Sequence, residues 1–306
     1  MQASAAGRPL AAGGMIVLAV AMLAYIDNFI RVVAAESGMW QFHITRAALV
    51  ALILAAGAAA FGWRLKPRNL RAVALRSVVL ASSMVLYFGA AAVMPIAQVA
   101  AGLFTAPVFV LLLSAVVWRV KVGPWRWLAV GLGFVGVIAV LRPDPANLTL
   151  ITLLPVIAGF LYAVASLLTR HLCAEEGTMA LQAGFFAILV IYSVVGLAVL
   201  TLWPGLQGES FFNRGWVAMP GRDFWIWTVG QSVVSLMGLG LITRAYQIAE
   251  PSRITVFEYA FLVFASLWGY LLWRDMLDVW GWLGMAAIAG AGTLIALRSA
   301  EVERAS

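Results

Sequence analysis

Long apolar runs separated by short polar stretches fill this chain from end to end. Ten are read, over residues 14–34, 40–62, 73–93, 97–118, 125–141, 149–170, 181–203, 224–244, 253–273 and 280–297. A helix needs about 20 apolar residues to cross a bilayer, so each run is at or near spanning length. The connections are short. The longest, 204–223, contains the turn formers Pro204, Gly205, Gly208, Pro220 and Gly221. It also holds Phe211, Phe212 and Trp216, which suit a membrane surface. The pattern predicts an all-α polytopic membrane protein with ten transmembrane helices.

Composition narrows this further. Hydrophobic residues make up 64% of the 306 and charged residues 11%, with a mean hydropathy of +0.98. That is too little charge to cover a soluble protein of this size and too much apolar content for disorder. The net charge of +7 is read as loop charge rather than as a nucleic-acid surface, because Lys and Arg hold cytoplasmic loops in place. The 62–72 loop carries Arg64, Lys66, Arg68 and Arg71, with Arg76 just inside the next run, and the 118–126 loop carries Arg119, Lys121 and Arg126. Arg8, Arg170, Arg244, Arg253, Arg298 and Arg304 fall on the same side. Arg142, Arg214, Arg222 and Arg274 fall on the other. Both termini are expected in the cytoplasm and the chain in the inner (plasma) membrane. The first run is too long for a signal peptide, despite Ala19-Val20-Ala21, and is expected to remain as a helix. The single cysteine, Cys173, forms no intramolecular disulfide.

An internal repeat is visible. Trp118-Arg119 and the following Trp125, Trp127 and Leu128 recur 155 positions later as Trp273-Arg274, Trp280, Trp282 and Leu283. Downstream, Gly131, Gly133 and Gly136 are answered by Gly284, Gly290 and Gly292. Small residues let helices approach closely. The fifth and tenth helices are therefore expected to pack through Ala129, Gly133 and Gly136 and through Ala286 and Gly290. Basic-residue counting puts one Trp-Arg inside and the other outside. Two five-helix halves, 1–146 and 147–306, would then form an inverted repeat, a plan of secondary transporters.

With Arg46 on the second helix, Ala90 through Pro95 before the fourth, Pro107-Val108 within it and Gly-rich fifth and tenth helices, the sequence resembles the EamA type of the drug/metabolite transporter superfamily. Within it, the YddG-like amino acid exporters look most similar. The departures are Val120 and Asp275, where EamA repeats usually carry Glu, and Leu262 opposite Pro107. The resemblance implies a secondary transporter exporting small organic metabolites, foremost aromatic or apolar amino acids, by alternating access. A multidrug or other metabolite exporter is the alternative. A membrane-embedded enzyme is the competing class, but the chain has no H-E-x-x-H, no G-x-S-x-G and too few His and Cys for a metal cluster. No cofactor or metal is expected. The expected partners are a small-molecule substrate and the lipid bilayer, with no nucleic acid, and the chain is expected to be a monomer.

Ionisable residues inside spanning helices are costly and each asks for a reason. Asp27 and Arg31 share a face beside Asn28, either as an i,i+4 ion pair or as a pathway-lining pair. His43 and Arg46 also share a face. Arg46 can hold a substrate carboxylate or lock helices by pairing with Asp27 or Glu36. His43 can relay protons or be hydrogen-bonded within the protein. Glu258, beside Tyr259, has no basic residue at i±3 or i±4, so it must be neutral, paired across helices or in a wet cavity. It can hold an ammonium group or a proton. Gln98, Thr105, Ser166, Gln231, Ser232 and Ser235 are polar groups for the cavity or for helix packing. Tyr87, Tyr162 and Trp268 are deep aromatic rings suited to stacking on an apolar side chain. Of these, all but Arg31, Glu36, Thr105 and Ser232 form the expected substrate site.

Overall fold

The computed structural model describes residues 9–91, 99, 102–141, 153–274 and 278–305. Gln98, Pro95, Arg142 and Asp275, and the expected boundary between halves at 146, lie outside them. Among the described residues there is helix and no strand. Every lipid-facing backbone group must be satisfied within its own segment, and a helix does this. The helices are α1 Pro9–Asp27, α2 Ile30–Glu36, α3 Met39–Phe61, α4 Leu70–Ala91, α5 Ala106–Val116 and α6 Pro124–Leu141, then α7 Leu154–His171, α8 Thr178–Leu202 and α9 Arg222–Ile248. A short α10, Pro251–Ile254, runs through a 3₁₀ stretch, Thr255–Tyr259, into α11, Ala260–Trp273, and α12 is Val279–Ala305. Seven segments are long and apolar enough to cross a membrane: Pro9–Glu36, Met39–Phe61, Leu70–Ala90, Leu154–His171, Thr178–Leu202, Arg222–Ile248 and Pro251–Leu272. Ala106–Val116, Pro124–Ala139 and Val279–Leu294 are shorter apolar helices. The protein is a multi-pass membrane protein.

Two expected helices are broken. The first is interrupted at Asn28-Phe29. Asn28 Nδ2 donates to Ala24 O (2.8 Å), and Phe29 N turns to Ile26 O (3.1 Å) in a tighter i→i−3 bond. A side-chain amide that competes for backbone carbonyls is a recognised cause of such a kink. The ninth helix starts on Pro251 and is interrupted by the 3₁₀ stretch before α11 resumes. Each break lies next to an acid, the half-buried Asp27 in the first and the buried Glu258 in the second.

Helices pack in reciprocal pairs: α1 on α9 and α4 on α7, α3 on α8, and α6 on α12. The α6–α12 seam is small-residue packing. A Cβ on Gly136 would lie 2.7 Å from Gly284 O and 2.9 Å from Ile288 Cγ1. Ala129, Val137, Ile288 and Ala291 are buried there. The expected face of the last helix needs correction. Ala286 and Gly290 are exposed, and the seam is Gly284, Ala287, Ile288 and Ala291. Those four share the i, i+3, i+4, i+7 face, whereas Ala286 lies on the opposite side. Gly133 faces the ring of Tyr259 rather than α12 alone. Trp125, Trp127, Trp203, Trp225, Trp280 and Trp282, all near helix ends, are exposed, as suits rings at a membrane–water interface. Trp118 instead stacks on His171 (4.8 Å, 14° between planes) and Trp63 covers Gly57.

The 203–221 connection covers one end of the bundle. Gln41 Nε2 donates to Val217 O and Val217 N donates back to Gln41 Oε1, both at 2.8 Å. Arg214 donates to Ala34 O and Ala35 O (3.0 and 2.9 Å), and Phe224 N donates to Glu36 Oε2 (2.8 Å).

Gly136→Leu should overpack the seam at a cost of about 1–3 kcal/mol and reduce the monodisperse yield in detergent chromatography. Ala286→Leu, on the exposed face, should leave that yield unchanged. Equal yields from both variants would show that the seam is elsewhere.

Candidate functional site

A cavity of about 130 Å³ lies in the middle of the bundle. Val20, Leu23 and Asp27 of α1, Arg46 of α3 and Met84, Tyr87 and Phe88 of α4 line one side, with Leu103, Phe104, Ala106 and Pro107 at the start of α5. Tyr162 of α7, Phe185 of α8, Ser235, Leu239 and Ile242 of α9, Glu258 of the 3₁₀ stretch and Phe261 of α11 line the other. Neither α6 nor α12 contributes. The wall is apolar and aromatic, with polar groups at a few points, which is the usual build of a small-molecule site.

Three charged side chains reach it, and they are held differently. Asp27 Oδ1 accepts from Gln231 Nε2 (2.9 Å), and Ser235 Oγ donates to Gln231 Oε1 (3.1 Å), so α9 fixes the α1 carboxylate. Asp27 and Arg46 feel each other's charge across the cavity. Arg46 is 5% exposed, with its guanidinium carbon 5.1 Å from the Phe42 ring centre and 5.6 Å from that of Phe186. It forms no ion pair among the described residues, and its Nε has no hydrogen-bond partner. The expected lock with Glu36 is absent, because Glu36 caps the first turn of α9 through Phe224 N. Such a buried donor without an acceptor is costly.

Glu258 is 5% exposed, and its Oε1 accepts from both Tyr162 and Tyr246 hydroxyls, each at 2.9 Å. Tyr246 was not read as a site residue, and no spacing along the chain could show it, because the α9 tyrosine meets the acid only in the fold. Tyr162 was expected to stack on a substrate. It lines the cavity, but its hydroxyl is engaged with Glu258.

Behind these tyrosines sits a second space of about 20 Å³, lined by Arg76, Tyr162, Ser166, Thr169, Thr243 and Tyr246 among others. That is room for about one water. Arg76, counted from sequence as a loop anchor, is 4% exposed. It donates to Thr169 Oγ1 (3.1 Å), Leu181 O (3.3 Å) and Thr243 Oγ1 (3.0 Å), all neutral acceptors. Its position inside the membrane segment, rather than at its end, was the available signal.

The structure thus brings Asp27, Arg46, Tyr87, Tyr162, Ser235 and Glu258 to the cavity, with Gln231 behind Asp27 and Ser166 in the small space. It does not bring the others. Asn28 is spent on the α1 kink. Tyr259 packs on Gly133 in the cluster shared with α6 and α12. Trp268 donates to Ala21 O (3.2 Å) and meets Tyr25 edge-on at 5.1 Å, tying α11 to α1 outside the cavity. His43 is fully buried between Phe42 and Phe88, and among the described residues neither ring nitrogen has the partner that the hydrogen-bonded reading called for. Ser232 donates to Thr228 O (2.7 Å) and Thr105 to Gly102 O (2.6 Å), both local helix bonds. His171, stacked under Trp118, is structural.

Comparison with known proteins places this geometry. Residues 11–142 match the EamA-like transporter family. A riboflavin transporter of Vibrio cholerae is 29% identical over 63% of this chain and 60% of its own length. A riboflavin transporter of Brucella anthropi is 25% identical, over 82% and 84%. A pseudopaline exporter of Pseudomonas aeruginosa is 24% identical over 67% of each chain. One crystal structure, 16% identical, superposes with a TM-score of 0.76 over 95% of this chain and 97% of that one. The fold is that of a known protein.

Gln231→Leu leaves the half-buried Asp27 carboxylate without its donor. Loss of a charged hydrogen bond costs about 1.5–3 kcal/mol, so the purified protein should melt at a lower temperature than wild type. An unchanged melting temperature would mean that the bond contributes nothing to the fold.

Proposed function

We propose that this chain, whose residues 11–142 match the EamA-like transporter family, is a secondary transporter of a small organic metabolite. The carrying observation is the central cavity, lined from α1, α3, α4 and α5 on one side and from α7, α8, α9 and α11 on the other. Halves at 1–146 and 147–306, related as an inverted repeat, would rock about it. Two observations support that plan. The helices pair reciprocally, as a two-fold relation requires. Among the described residues the non-glycine positions with positive φ are Arg119 (52°) and Arg274 (61°), the two arginines of the repeated Trp-Arg. Ten crossings put both termini on one side, and the basic loops make that side the cytoplasm. The family match and the relatives named as transporters support a transporter over an enzyme.

The substrate we infer is flat, mostly apolar and edged with hydrogen-bonding groups. The rings of Tyr87, Phe88, Phe104, Phe185 and Phe261 fit such a body. Arg46 and Asp27 both line the cavity and offer it donors and an acceptor, which match a carbonyl and N–H edge. The flavin ring of riboflavin presents this edge, and two of the relatives described carry that substrate's name. The same pair also fits the two charges of an aromatic amino acid, the second reading.

Binding to purified protein and flux into proteoliposomes, with riboflavin and aromatic amino acids side by side, test this. Riboflavin is expected to bind and to exchange across the membrane. Arg46→Gln should weaken binding roughly tenfold to a hundredfold, the equivalent of one charged hydrogen bond, with the protein still monodisperse. Flux of an amino acid with none of riboflavin would decide for the second reading. No flux of either would overturn the proposed substrates.

A further inference from the structure

The two acids of the cavity are not equivalent. Asp27 is held by Gln231 and faces the cation of Arg46. Glu258 has neither a cation nor an amide. Its Oε1 takes both tyrosine hydroxyls, its Oε2 makes no hydrogen bond among the described residues, and the residue lines the cavity. A lone carboxylate inside the hydrocarbon is expensive, and hydroxyls solvate it without neutralising it. Binding a proton at Oε2 removes the charge and keeps both tyrosine bonds, since the carbonyl oxygen has two lone pairs.

The groups facing Glu258 leave it the free proton site. From α7 and α9 come Tyr162 and Tyr246, both donors to it. Its neighbour Tyr259 points into the α6–α12 cluster. Arg46 of α3, Asp27 of α1 and Tyr87 of α4 stand across the cavity. Arg76 of α4 lies behind the tyrosines, in the small space, where its positive charge opposes proton passage. From α10, Arg253 lies at the start of the segment, and α5 and α11 bring no acid or base to the cavity. The main cavity is therefore the route by which Oε2 exchanges protons with water.

We infer that Glu258 couples transport to protons: Oε2 takes a proton from water on one side, the uncharged substrate enters beside the neutral acid, and both leave on the other. This rests on the transporter reading above. Its physical basis is desolvation. A flat apolar ring system strips water from the cavity, and that is far cheaper once Glu258 is neutral. The setting helps, because Glu258 lies on 3₁₀ backbone between α10 and α11, a conformation that often marks a hinge. One substrate and one proton cross together.

Two measurements decide it. Dicyclohexylcarbodiimide reacts with protonated carboxyls in apolar surroundings, and peptide mapping of the wild-type protein should find Glu258 modified more in acidic than in alkaline buffer. Modification of Asp27 alone, or of neither acid, overturns the inference whatever the substrate. Riboflavin binding should tighten about tenfold for each unit of falling pH above the Glu258 titration. Glu258→Gln, a mimic of the neutral acid, should hold the acidic-buffer affinity in both buffers and lose accumulation driven by a pH gradient. Wild-type binding that ignores pH also overturns the inference while leaving the transporter reading intact. If no panel compound binds, the substrate reading has failed, and carbodiimide mapping still decides the proton site without using a variant.

Discussion

A charge inside the hydrocarbon has to find polar company from its own protein, and here that need selects which helices touch. Asp27 of α1 finds Gln231 on α9. Glu258 of the 3₁₀ stretch finds Tyr162 on α7 and Tyr246 on α9. Arg76 of α4 finds Thr169 on α7, Leu181 O on α8 and Thr243 on α9. Lipid tails give helices no hydrophobic reason to associate. Apolar surface fits almost any partner, whereas these bonds fit only one. α9 answers all three charges, and its buried face is correspondingly polar, with Thr228, Gln231, Ser232, Ser235, Thr243 and Gln247.

The same need explains where regular helix gives way. Both interrupted segments carry their acid at the interruption, Asp27 just before Asn28-Phe29 and Glu258 within Thr255–Tyr259. An unbroken helix would aim these side chains along its own stripe. A local change of winding rotates them toward the cavity and frees backbone groups in a place buried in protein, where such groups are tolerated. The α6–α12 pair carries no charge in its seam and needs no break. Close approach at Gly136 and Gly284 suffices, and the pair stays off the cavity.

How far the sequence could be read follows from this division. Apolar length is set by the bilayer, so the spanning segments were legible, and the Trp-Arg that recurs 155 positions apart places its arginine at positive φ both times. Arg46, Asp27 and Glu258 were legible as cavity groups because ionisable residues in apolar runs are rare. Facing was not legible. Small residues occur on two sides of α12, and nothing local distinguishes Ala286 from Ala287. Trp268 and Tyr259 look deep in sequence, but the first spends its N–H on Ala21 O and the second covers Gly133. Tyr246 and Arg76 were missed because their importance lies in partners about 12 and 93–167 residues away. Gln98 lies outside the described residues.

The repeat also shows where the halves part company. Shifting by the 155 positions that relate the Trp-Arg pairs brings Glu258 onto Leu103 and Phe261 onto Ala106, and all four line the cavity. The backbone positions correspond while the chemistry does not. A symmetric pair of acids would put two like charges in one apolar space, each raising the cost of the other. A leucine at the position 155 residues before Glu258 leaves one carboxyl in that pair, and Leu103 supplies apolar surface for a ring. The cavity wall is therefore one-sided, with an acid at Glu258 and apolar surface at the position 155 residues before it.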